Sequence, residues 1–248
     1  MSITSNPADR LYEILNDAKR NCDSNNFIKS VWASTFDIDR NDEEKIFLSV
    51  VKVIEQIETV KKVADKMQSS IKVEFIKEIT ELEREIMNLK LDEQSISLKR
   101  AISEKRLMSL KAIIMGLDIC NQYSNIEEET IFEFREKILQ LISEINDLSI
   151  NDDLKNVVID NLNQVDLMID NYKLYGIDGI KSAVENGVGS IILNKELSEE
   201  TSRNVKLKET LITVLNLLGN INTVVTFTKN VVPIVIEASD IAKKLFLN

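Results

Sequence analysis

Apolar residues recur along this chain at three- and four-residue steps, the spacing that lines one face of an α-helix. Ile46, Val50, Val53, Ile54, Ile57, Val60 and Val63 form one such stripe, ending near Met67. Ile71, Phe75, Ile79, Leu82, Ile86 and Leu89 form the next, and Leu107, Leu110, Ile113, Ile114 and Leu117 a third. Phe134, Ile138, Leu141, Ile142 and Ile145 make a fourth, and Leu154, Val158, Leu162, Val165, Ile169 and Tyr172 a fifth. Shorter helices are expected over 7–20 and 26–36. In the second of these Trp32 and Phe36 stand one turn apart, which reads as an anchor between helices or as a ligand platform.

Helix starts are marked by polar residues that satisfy the free N–H groups of a first turn. Asn6-Pro7-Ala8-Asp9 supplies a cap, a proline at the first helical position and an acid that favours the helix dipole. Asn41-Asp42-Glu43-Glu44 and Asn125-Ile126-Glu127-Glu128 each set a Glu three residues after an Asn, the spacing of a capping box. Asn151-Asp152-Asp153 reads as a further cap. The neighbouring segments 41–68 and 70–90 fit either a protruding hairpin or two members of a bundle.

Composition supports helices over strands. Six Gly and two Pro in 248 residues leave few of the turn-formers that a many-stranded fold requires. The expected fold class is therefore all-α, a bundle-like assembly of about 8–10 helices. It is read as a single helical domain over 1–248, because no linker or repeat forces a boundary.

From Gly176 onward the chain changes. Five of the six Gly lie there, at 176, 179, 187, 189 and 219. Gly176 fits a helix stop after Tyr175, and Gly179 permits a tight restart. Gly187 and Gly189 fall inside a helical pattern, which suggests close approach of another backbone or a local kink. The segment 203–248 holds six Lys or Arg against three Asp or Glu, so it carries +3 on a chain of net charge −10. Within it, Val224, Val225, Phe227, Val231, Val232, Ile234 and Ile236 are candidates for interface or membrane contact, although packing on the body is the favoured reading. Lys229 and Asn230 interrupt the apolar run and argue against a membrane span. Two helical pieces broken near Asn230–Pro233 are expected in preference to a hairpin, which would lack a sheet to join.

Charge and residue content narrow the chemistry. An acidic chain with no basic-aromatic strip is not expected to bind nucleic acid. His is absent, which removes Ser-His-Asp triads, HExxH zinc sites and carboxylate–histidine di-iron centres. Neither a phosphate-binding glycine loop nor a CxxC pair occurs. Cys22 and Cys120 read as apolar filling, and with only two Cys and no leader-like start an intracellular, cytoplasmic setting is expected. One metal arrangement remains: Glu55-x-x-Glu58 followed by Glu78-x-x-Glu81, whose spacing resembles the paired acids of all-helical nucleotide pyrophosphatases that hold Mg²⁺. All four acids are expected on solvated faces, Glu55 and Glu58 with Lys52 and Lys62, Glu78 and Glu81 with Glu74, Lys77 and Glu85. That makes the hydrolase the least favoured reading, and no cofactor is expected.

Ser30-Val31-Trp32-Ala33-Ser34-Thr35-Phe36 and the run from Asp170 to Ile180, with its Tyr172, Tyr175, Gly176 and Gly179, resemble segments of a group of uncharacterised bacterial helical proteins. The resemblance implies a bacterial source and supplies no activity or functional residue. The expected function is non-enzymatic: protein–protein interaction or self-assembly, with a protein partner or a second copy of the chain. The alternative is a membrane-active effector of a bacterial toxin or phage-defence system, working through the apolar C-terminal segment.

Overall fold

Asn6 opens the first helix by accepting a hydrogen bond from the Ala8 N–H at 3.0 Å, with Pro7 directly after it. In the computed structural model, which describes residues 2–4, 6–67, 72–119 and 125–226, this helix follows a three-residue strand. The order begins with β1 (Ser2–Thr4), α1 (Pro7–Asn21), α2 (Ile28–Thr35), α3 (Glu43–Asp65), α4 (Lys72–Asn88), α5 (Ile96–Ala101) and α6 (Glu104–Ile119). It continues with β2 (Asn125–Glu127), α7 (Glu128–Asn146), α8 (Asp152–Asp170), α9 (Tyr172–Leu193), α10 (Lys195–Arg203) and α11 (Val205–Thr226). The protein is all-α, with eleven helices among the described residues. Two of these, the short α5 and α10, fall neither in the five long stripes nor in the shorter helices expected over 7–20 and 26–36. The pairing of β1 with β2 forms a ribbon of three residues a side.

The chain divides into two compact units, Thr4–Tyr123 and Met1–Ile3 with Ser124–Asn248. In the first, α1 packs on α2, α3 and α6, and α4 packs on both α3 and α6. Helices α3 and α4, the described parts of the two neighbouring segments, are thus members of a bundle. Its core takes Ile46, Val53, Ile57 and Val60 from α3, Ile79, Leu82 and Ile86 from α4, and Leu107, Leu110, Ile113 and Leu117 from α6. Val50, Ile54 and Val63 lie at the edge of the same core. The Trp32 and Phe36 rings stack with centroids 5.9 Å apart, and Trp32 is buried, so the pair is an anchor. Cys22 sits in the same core, where burial pushes its thiol pKa up.

The second unit is built on α8 and α9, with α7 and α11 packed against them. Its core contains the predicted α7 and α8 stripes and, from α11, Leu207, Leu211, Val214, Leu218 and Ile221. Helix α11 contributes to this core as far as Val225. Helix α9 is two helical stretches meeting at Gly176, whose φ of 65° and ψ of −172° lie in a region open only to glycine. Gly179 has a second reason to be glycine, since a Cβ there meets the Tyr175 Cβ at 2.5 Å. Gly187 and Gly189 do not receive another backbone. A Cβ at Gly187 finds ordinary contacts with Asn161 and Leu218, and one at Gly189 finds open space.

Two cap assignments change. The cap of α3 is Asp42, whose carboxylate accepts from the Lys45 N–H at 3.1 Å, one residue after Asn41. Asn125 belongs to β2, and α7 starts after Glu127 with no side-chain cap. A nonlocal strand partner outweighs the local capping pattern there. Asn151 caps α8 as expected, accepting from the Asp153 N–H at 2.9 Å.

Candidate functional site

The four acids with pyrophosphatase-like spacing do not converge; each is engaged by a cation of the chain itself. Glu55 is exposed and pairs with Lys52 at 2.7 Å, and Glu58 pairs with Lys61 on the same helix. Lys61 also bridges to Glu83 of α4 at 2.7 Å. Glu81 lies 3.8 Å from the Arg106 guanidinium. Glu78 departs from expectation. It is only 6% exposed, at the margin of the α4 core stripe, and is neutralised by Lys105 of α6. Helix periodicity placed it among solvated acids because the covering helix is remote in sequence. Among the described residues no group of three or more His, Cys, Asp or Glu is placed to hold a metal ion.

These ion pairs form a ladder joining α4 to α6. Glu74 and Glu78 face Lys105, while Glu81 and Glu85 face Arg106. Arg106 is buried, and it also donates to the Ala101 carbonyl at 2.6 Å. Hydrogen bonding from Arg106 holds the Glu85 pKa below its ordinary value. Such charge-assisted, two-pronged contacts fix how α6 rotates about its axis. That rotation decides which residues of α6 face outward.

Helix α6 is apolar on two sides. Leu107, Leu110, Ile113 and Leu117 are buried in the core. On the opposite side Met108 is 62% exposed, Met115 66% and Ile119 80%. With Ala112 between them, these residues follow steps of four, three and four, which places them on one line over about three turns. A helix that is apolar all round is ordinarily covered all round. Elsewhere among the described residues, exposed large apolar side chains fall along the sequence as pairs or singles, such as Phe47 with Leu48, Phe132 with Leu139, or Leu193. The sequence carries the signal for this face, since Met108, Ala112, Met115 and Ile119 interleave with the inner stripe at the same helical spacing.

Of the C-terminal candidates, Val225 is buried and Val224 is partly buried against the core of the second unit. Phe227, Val231, Val232, Ile234 and Ile236 lie outside the described residues. Among the described residues no helix is long and apolar enough to cross a membrane. A groove of about 280 Å³ runs between α7 and α11, with buried Phe134, Leu141 and Leu217 and exposed Lys137, Gln140 and Asn216 among its lining residues. It lies just under the usual size of small-molecule sites, and its polar residues are open to solvent.

No family model matches this chain, and it matches neither a curated protein nor a solved structure.

Proposed function

We propose that this protein works without catalysis, by binding another protein or itself through the outer face of α6. The observation that supports this reading is the second apolar stripe on that helix, Met108, Ala112, Met115 and Ile119, opposite the stripe that builds the core. Single exposed apolar side chains are common on any surface; a continuous line of them on one helix is the pattern of a helix that docks against another element. Methionine suits such a face, because its flexible, polarisable side chain adapts to a partner surface. The α4–α6 ion-pair ladder supports the reading too, since it fixes the helix in the rotation that presents the stripe.

The test is a photo-reactive phenylalanine analogue placed at Met115 in cells making the protein at native levels, with Lys181 of α9 as a control position. A discrete cross-linked species from position 115, absent from position 181, is the expected result. Absence of any cross-link from position 115 in growing or stressed cells would remove the reading.

A further inference from the structure

The stripe on α6 has a property that bears on what covers it. Met108, Ala112, Met115 and Ile119 occupy alternate steps of four and three, the spacing of a helix-pairing seam. Place a second α6 against the first in the opposite direction, related by a two-fold axis. Met108 then falls opposite the partner's Ile119, and Ala112 opposite the partner's Met115, each pair occurring twice. A large side chain meets a small one at the two central layers, which lets the seam close.

The flanking charges agree with this arrangement. Lys111 and Asp118 are exposed on one edge of the stripe and lie seven residues apart. Lys111 is held there over the Tyr12 ring, with Nζ 5.0 Å from its centroid, and Asp118 accepts from Asn6 Nδ2 at 3.1 Å. An antiparallel pair sets Lys111 across from the partner's Asp118 on both sides of the axis. A parallel pair forfeits both pairings. The face is thus complementary to itself in shape and in charge, which is what a two-fold interface requires.

We infer that the occupant of this face is a second copy of the chain, paired antiparallel through α6; the inference rests on the proposed role of that face. A helix of this length spans about 24 Å. One such pair covers less than the roughly 1,200 Å² at which stable interfaces begin, so the dimer is weak and forms as concentration rises.

The experiment is light scattering on the full chain across a concentration series, with methionine oxidation by dilute peroxide followed in parallel by mass spectrometry. The mass is expected to climb from one chain toward two, with Met108 and Met115 becoming protected as it does. Met115→Lys abolishes the rise. Lys111→Asp and Asp118→Lys each weaken association roughly tenfold, and the two together restore it. Restoration by the double exchange separates pairing from any folding defect. A dimer indifferent to these substitutions overturns the inference, because it uses another face. A single chain at every concentration with fast oxidation of Met108 and Met115 also overturns it, while leaving the face open for a different protein. A single chain in which both methionines oxidise as slowly as buried Met67 overturns the inference and the proposed function together, since the chain itself then covers the stripe.

Discussion

Arg106 of α6 meets Glu85 of α4 end-on, Nη1 to Oε2 at 2.8 Å and Nη2 to Oε1 at 2.6 Å, so that a buried guanidinium ties two helices together in one relative orientation. Replacing one partner leaves the other without its counter-charge. Arg106→Ala is expected to destabilise the first unit by about 2–3 kcal/mol, below the full penalty of a buried pair because Glu85 is partly exposed. Arg106→Met keeps the apolar stem and is expected to lose less. Urea unfolding of the three proteins orders them.

The same pair gives stability a pH dependence of known sign. Glu85 has a folded-state pKa below its ordinary value because Arg106 hydrogen-bonds its carboxylate. Its contribution is therefore present above the ordinary glutamate range, about 4.3, and is lost as pH falls through that range to the lowered value. Thermal midpoints followed by circular dichroism from neutral to acid pH are expected to fall less steeply for Glu85→Gln than for the unmodified chain. Equal slopes would show that Glu85 contributes nothing to acid sensitivity.

Two glycines of α9 are expected to respond to alanine with opposite signs. Gly176 holds φ 65° and ψ −172°, and Gly176→Ala is expected to destabilise the second unit by about 1–3 kcal/mol. Gly189 is helical with open space where its Cβ would stand, so Gly189→Ala is expected to stabilise by about 0.5–1 kcal/mol. Chemical denaturation of both variants checks the pair.

Much of the fold was legible because local periodicity and core membership coincide in long helices. The stripes from Ile46 to Val63 and from Leu154 to Ile169 are buried or half-buried as their spacing requires. What was illegible depended on partners far away in the chain. Asn125 resembles a helix cap until Ser2–Thr4 pairs with it, and Glu78 resembles a solvated acid until Lys105 arrives from α6. The exposed face of α6 was written in the sequence, but four apolar residues at helical spacing do not announce whether they point in or out. Packing of Leu107, Leu110, Ile113 and Leu117 against neighbouring helices, together with the ladder from α4, settles that rotation.

The C-terminal helix is expected to be indispensable to the second unit. Leu207, Leu211, Val214, Leu218 and Ile221 of α11 are almost fully buried. Ending the chain before Val205 exposes the core they fill, and Leu211→Ala alone is expected to cost about 2–5 kcal/mol. Hydrogen exchange of the α8 and α9 amides reads both effects, with protection lost in the truncated chain and reduced in Leu211→Ala.

The most direct test of a partner-binding face on α6 is the size at which the protein travels after chemical cross-linking in intact cells, which preserves weak contacts, compared with a variant carrying Met108→Gln, Met115→Gln and Ile119→Gln together. The unmodified chain is expected to run above the 28.3 kDa of one copy, and the variant, equally folded by circular dichroism, to return to it. Identical migration of the two at the mass of a single copy would contradict the account.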